Sequence, residues 1–256
     1  MERYKVTLAY DGTQFYGFQR QGKVRTVQLE VEAALRKLDW QGRTILSAGR
    51  TDRGVHAAGQ VIAFDLDWAH SPQELGRALN ANLPEDVAVK AVEVARTDFH
   101  PRYDASSRCY HYHLWFAPER DPLRNRYAWQ VWPPCDPQGL QAAARLLIGS
   151  HDFAAFGAPL RAGGSTIRTV FQAGWQAEGE DGAWSFQVTA NAFLYHMVRR
   201  MVFVQVLVGQ QRLNLENMQK AVEQVSPVSP GLAPPEGLVL KSVQYADGVA
   251  GARQVT

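Results

Sequence analysis

One order of elements, strand–helix–strand–strand–helix–strand, runs through the chain twice, and few architectures accommodate it. Tyr4 to Ala9 alternates apolar and polar residues and reads as a strand. Thr26 can cap a helix to about Leu38, with Leu29, Ala33 and Leu35 on its buried stripe. Arg43 to Ser47 and Gln60 to Asp65 read as strands flanking the segment AGRTDRGVHAAG. Ser71-Pro72-Gln73-Glu74 is a strong helix start: Ser71 can bond the N3 amide, Pro72 suits N1, and Glu74 closes a capping box. That helix should end near Leu83-Pro84, ahead of a strand at Val87 to Val94.

The second copy carries additions. Strands are expected at Tyr110 to Phe116 and Tyr127 to Trp132, then a helix from Asp136-Pro137 to about Ile148. Strands near Thr169 to Gln176 and Trp184 to Ala190 precede helices at Phe193 to Val208 and Leu215 to Gln224, and Leu238 to Tyr245 is the last strand. The expected fold is α+β: two ferredoxin-like (RRM-like) halves, residues 1–104 and 105–256, with joined antiparallel sheets and a central active-site cleft. The break falls in the Pro-bearing stretch Thr97 to Arg108. Residues 226–237 (SPVSPGLAPPEG) form a loop, and the polar tail after Tyr245 is expected to be mobile.

Composition adds exclusions. No run of about 18 apolar residues is present to cross a membrane. The N-terminus lacks a signal-peptide layout, and two cysteines, Cys109 and Cys135, are too few for a disulfide scaffold or a Cys-rich zinc site, so a reduced cytoplasmic setting is expected. Net charge is only +2. Of the 27 basic residues six are lysine. Arginine grips phosphates two bonds at a time and stacks on bases, although a GC-rich genome or a thermophilic source gives the same bias, and composition does not settle the partner.

Three segments carry candidate chemistry. Ala48 to Ala57 sets Asp52 between Arg50 and Arg53 in a loop bounded by Gly49 and Gly54. Flanking cations favour the ionised carboxylate, which suits catalysis; equally, the Asp could merely tie two arginines together in a turn. In Asn191 to Val202, Tyr195 and Arg199 share a face if the segment is helical, and an arginine on so apolar a helix needs an anionic partner, either Asp52 or another carboxylate. In Ser107 to His113, Tyr110 and Tyr112 lie on one strand face as core or as a stacking surface for an unpaired base. Cys109, His111 and His113 lie on the other face, with no partner motif at metal-binding spacing, so no metal is expected.

Gly-Arg-Thr-Asp-x-Gly-Val-His at 49–56 resembles the catalytic motif of the TruA family of tRNA pseudouridine synthases. The resemblance extends through Tyr10-Asp11-Gly12, Gly17-Phe18-Gln19, Phe99-His100-Pro101-Arg102, Arg108-x-Tyr110-x-Tyr112, His151-Asp152-Phe153, Asn191-Ala192-Phe193 to Arg199, and Gly237 to Leu240. It implies a homodimeric enzyme that isomerises uridines 38, 39 and 40 of the tRNA anticodon arm without cofactor or metal, on a nucleotide flipped from its stack. By that resemblance Asp52 is the catalytic carboxylate, either a nucleophile at C1′ or the base that gives a glycal, and Arg199 is its salt-bridge partner. Tyr110 stacks on the uracil and moves a proton late, Leu238 packs against the base, and Arg50 fills the vacated space or holds the phosphate. Arg53 stands where the family often has a small residue, and Arg200 and Phe203 replace smaller or uncharged ones.

Two other classes compete. A non-catalytic RNA-binding protein of two RRM-like units would use the same sheets, but neither half carries an aromatic signature of the RNP1 type. A hydrolase using Asp52 and His56 lacks a clear second acid or nucleophile.

Overall fold

The computed structural model describes residues 1–179 and 182–246 and is a mixed α+β protein whose strands pair mostly antiparallel. Two compact units divide it, Met1–Ser106 with Leu240 to Ala246, and Ser107–Val239. The C-terminal tail, apart from Ala246, lies outside the described residues.

The first unit contains strands β1 (Glu2–Tyr10), β2 (Leu46–Ser47), β3 (His56–Leu66) and β4 (Val87–Ala95), with helices α1 (Val27–Arg36) and α2 (Pro72–Asn82). β1 lies between β4 and β3, antiparallel to both, and β2 pairs with β3. Strict alternation along β1 buries Tyr4, Val6, Leu8 and Tyr10, and Val31 and Leu35 of α1 and Leu75 and Leu79 of α2 are buried as well. The Ser71–Glu74 capping box is formed as expected, a feature of about 1 kcal/mol. Helix α1 turns differently: Ala33 is exposed, and the stripe is Val27, Val31, Ala34 and Leu35. Glu32 lies on the same buried side, fully buried and paired with Arg20.

The second unit contains β5 (Ala105–Phe116), β6 (Trp129–Val131), α3 (Pro137–Leu146), β7 (Gly149–Asp152), β8 (Ile167–Ala177), β9 (Ala183–Ala190), α4 (Met197–Gly209) and α5 (Leu215–Glu223). Its strands run β5-β9-β8-β7, antiparallel, with β6 parallel to β5. Helix α3 packs on α4, α5 and β8. Gln205, fully buried on α4, is satisfied by the Trp175 indole N–H (2.8 Å) and the Met201 carbonyl (3.1 Å). The last strand, β10 (Leu238–Tyr245), lies beside β3 with its residues from Leu240 onward.

Several boundaries depart from the sequence reading: β3 starts at His56 rather than Gln60, and β5 at Ala105 rather than Tyr110. The strand expected at Arg43 to Ser47 contracts to two residues. β7 was not anticipated, since Gly149-Ser150-His151-Asp152 has no apolar alternation and is a strand only through pairing with β8. Helix α4 starts four residues late, because His196 has a left-handed backbone (φ 64°) and caps the helix from outside. Tyr195 therefore precedes the helix and shares no helical face with Arg199.

Candidate active site

Residues 48–55 join β2 to β3, and their backbone is held from three sides. Phe18 N–H donates to Thr51 O (3.0 Å), Gly54 N–H donates to Phe15 O (3.3 Å), and the Gln60 amide donates to Gly49 O (3.1 Å). Inside the loop Val55 N–H donates to Asp52 O (3.2 Å), with Gly54 in the left-handed region at φ 79°. Gly12 lies directly on this loop: a Cβ there would land on the Val55 carbonyl oxygen. The glycine of Tyr10-Asp11-Gly12 is thus a requirement of close backbone approach.

Buried polar side chains tighten the clamp. Thr51 and Tyr10 share a hydrogen bond of 2.8 Å (hydroxyl to hydroxyl). Burial pushes the Tyr10 phenol up to about 12, against the pull of its hydrogen bonds with Thr51 and Gln60. His56 is buried at the loop's exit, where Nδ1 accepts the Gly12 N–H at 2.9 Å and lies 3.2 Å from Asp11 Oδ1.

The loop's charged side chains point the other way. Asp52 is half-buried, and Arg50 and Arg53 are exposed. The Arg53 guanidinium lies 4.2 Å from the Tyr16 ring centroid. Among the described residues neither Arg50 nor Arg53 has a carboxylate within ion-pair distance, so Asp52 does not serve to tie the two arginines together.

The other expected site residues belong to the second unit. Tyr110, half-buried on β5, meets Phe193 edge-to-face at 5.1 Å. Arg199, half-buried on α4, donates from Nε to Ala233 O (2.8 Å), and Ala233 N–H donates back to Arg199 O (3.2 Å). Tyr112, fully buried beside Arg199's charge, donates to Pro234 O (2.8 Å), and burial raises its phenol well above the ordinary tyrosine value. Gly237 passes so close that an added Cβ would sit 2.6 Å from His113 O and 2.7 Å from the Tyr112 ring. Loop 231–237 is thereby seated on Tyr112 and Arg199 and delivers Leu238, which is only 6% exposed.

Tyr112, Thr51, Tyr10 and Phe193 were not assigned as site residues from sequence, although each sits in a quoted motif. What reveals them is partners far away along the chain. Both cysteines are free and buried, and no group of three or more His, Cys, Asp or Glu side chains converges among the described residues. Nor does any described helix have the length and apolarity to cross a membrane.

A carboxylate presented on a backbone-clamped loop beside unpaired cations is the layout of an enzyme that handles an anionic substrate. Comparison with known proteins specifies it. A family model described as tRNA pseudouridine synthase matches residues 7–104 and 143–246. The tRNA pseudouridine synthase A of Streptococcus equi subsp. equi (strain 4047) is 39% identical over 249 residues, 96% of this chain and 100% of that protein. The protein of that name from Streptococcus pneumoniae serotype 19F (strain G54) is 38% identical over 250 residues, again 96% and 100%. A chain from the crystal structure of a Cbf5-Nop10-Gar1 complex aligns at a TM-score of 0.32 and 11% identity, covering 79% of this chain and 54% of that one, too weak a likeness to bear on the fold. The chain belongs to the tRNA pseudouridine synthase family.

Proposed function

We propose that the protein converts uridine to pseudouridine at positions 38, 39 and 40 of the tRNA anticodon arm, with Asp52 as the catalytic carboxylate. The observation that carries this reading is the loop of residues 48–55, whose backbone is fixed while Asp52 stays half-buried and solvent-reachable. Rigid placement of a reacting group removes orientational entropy from the barrier, and errors of about 1 Å cost roughly 100-fold.

The reaction breaks the C1′–N1 bond, turns the uracil, forms C1′–C5 and releases the proton of C5, while N1 ends protonated. Electrons and atoms balance within the nucleotide and water, so the proposal assigns no cofactor and no metal. Asp52 acts at the sugar, as nucleophile at C1′ or as base toward a glycal. Arg199 is assigned as the partner of its charge, Tyr110 as the ring that stacks on uracil and relays a late proton, Leu238 as an apolar contact to the base, and Arg50 as the group that takes the vacated space or the phosphate. These roles come from the motif resemblance. The half-buried Tyr110 and the anchored Arg199 and Leu238 are compatible with them.

The same reading takes the halves 1–104 and 105–256 as ferredoxin-like repeats with an active-site cleft, in a cytoplasmic homodimer. The β4-β1-β3-β2 order of the first unit supports this for that half.

The test uses unmodified tRNA tritiated at C5 of uridine, without added metal or nucleotide. Wild type should release tritium, and Asp52→Ala should release none while binding tRNA within a few-fold. An active alanine variant would remove Asp52 from the mechanism. Binding without release by either chain would favour the RNA-binding reading.

A further inference from the structure

The first unit's arginines fall into two groups. Arg3 pairs with Asp65, Arg20 and Arg36 with Glu32, Arg25 with Asp86 and Glu30, and Arg96 with Asp98 and Asp104. Arg53 has no such partner among the described residues, yet its position is fixed, because its guanidinium lies over Tyr16 at 4.2 Å. Arg43, Arg50 and Arg77 also lack a carboxylate within ion-pair distance among the described residues, and no ring contact holds any of them. Tyr16 is itself anchored: its N–H donates to Arg25 O (2.9 Å) and its carbonyl accepts from Gln21 (2.7 Å). Gly17 has φ 91°, and an added Cβ there would sit 2.8 Å from Thr51 O and 3.3 Å from Arg53 N, so the Tyr16 segment and the Asp52 loop form one block.

Arg53 lies closer to its ring (4.2 Å) than Arg102 does to Tyr103 (5.9 Å) or Arg126 to Tyr127 (5.6 Å), and the Tyr16 ring stays 43% exposed beneath it. An aryl–guanidinium stack uses one face of the cation and leaves its in-plane N–H fork free to meet two oxygens of a phosphodiester. The stack also removes part of the rotamer freedom that an exposed arginine loses on binding.

We propose that the Arg53–Tyr16 stack is a docking site for one phosphate of the RNA backbone beside the target nucleotide. This rests on the reading of the protein as a tRNA-modifying enzyme, and Arg53 is a binding residue in it, distinct from Asp52.

The test measures binding of an unmodified tRNA transcript to wild type, Arg53→Gln, Arg53→Lys and Tyr16→Leu across a potassium chloride series, with tritium release measured on the same proteins. Losing one phosphate contact should flatten the slope of log K against log salt by about 0.7–0.9 for Arg53→Gln. Its affinity at low salt should fall by about 3- to 10-fold, with the loss in KM rather than kcat. Arg53→Lys should keep the slope and lose part of the affinity. Tyr16→Leu should weaken binding without changing the slope, and its effect should vanish in the Arg53→Gln background. An unchanged slope for Arg53→Gln, or a loss in kcat alone, overturns the proposal. Wild type that binds tRNA without releasing tritium defeats the enzymatic reading instead, and the slope comparison still decides the phosphate contact. Equal melting temperatures among the wild type and all its variants establish that folding is not the variable.

Discussion

Two buried tyrosines each sit beneath a loop that carries expected site residues, and they hold those loops by different means. Tyr10 on β1 meets a side chain, the Thr51 hydroxyl, while the 48–55 loop is gripped chiefly through its backbone by Phe18, Phe15, Gln60 and Gly12. Tyr112 on β5 donates straight to a carbonyl, Pro234 O, and Arg199 commits its Nε to Ala233 O beside it. A loop held by its backbone keeps its side chains available, and here those are Arg50, Asp52 and Arg53. Loop 231–237 is held at its backbone too, but by the Tyr112 and Arg199 side chains, and it leads into the buried Leu238. The first arrangement presents charge. The second fixes an apolar surface.

The sharpest way to break this contrast is Gly12→Ala. The new methyl meets the Val55 carbonyl, and neither backbone segment can yield without moving the loop. Overpacking of this kind costs about 1–3 kcal/mol, or about 2–4 °C of melting temperature per kcal/mol in a chain of this size. We expect turnover to fall by roughly 100-fold or more, since Asp52 moves with the loop. If tritium release survives while the melting temperature drops, the backbone clamp does not position Asp52.

Next in size is Tyr10→Phe, which leaves the buried Thr51 hydroxyl and the Gln60 amide each short of a partner, at about 1–3 kcal/mol. Tyr112→Phe should cost less, about 0.5–1.5 kcal/mol, because the Pro234 carbonyl is only part-buried and water can replace the phenol. Calorimetric melting of both variants checks the order. The reverse order would mean that the second loop, rather than the first, is the tightly sealed one.

These two holds were unequally legible in the sequence. Chemistry completed within a few residues was readable: the Ser71–Glu74 capping box and the Asp136 cap on α3 form as expected, and the alternation of β1 identifies its buried face. Residue types in the GRTD segment left catalysis and a structural turn both open, and only the family resemblance favoured catalysis. Its clamp was not legible, because Gly12 meets Val55 and Gly17 meets Thr51 only after folding brings distant stretches together. The start of α4 was misread for the same reason. Asn191 uses its side-chain carbonyl to accept from Thr169 and Ala192 N–H, and Leu194 N–H points at the Met197 sulfur, so residues 191–196 are held in a bend that apolar periodicity cannot reveal. Ala33 is exposed while its neighbour Glu32 is buried, paired with Arg20 twelve positions away.

The smallest expected effect separates the two tyrosines by their titration. Burial holds the Tyr10 phenol up to about 12 and the Tyr112 phenol well above the ordinary tyrosine value, while in the unfolded chain each titrates near 10. The folded state therefore keeps protons that the unfolded state has lost, and stability is full below about pH 10 and declines as pH rises toward the folded values. By pH 11 Tyr10 should have removed about 1 kcal/mol. Tyr4, raised to about 12 by burial and its bond to Glu2, adds to the same decline, so the informative quantity is each variant's difference from wild type between pH 9 and 11.5. Tyr10→Phe and Tyr112→Phe should each start lower than wild type and fall less steeply with pH. A flattened curve for Tyr112→Phe alone would mean that hydroxide reaches Tyr10. The Asp52 loop would then be a cover that opens to solvent, and the clamp drawn by its hydrogen bonds would be only one of its states.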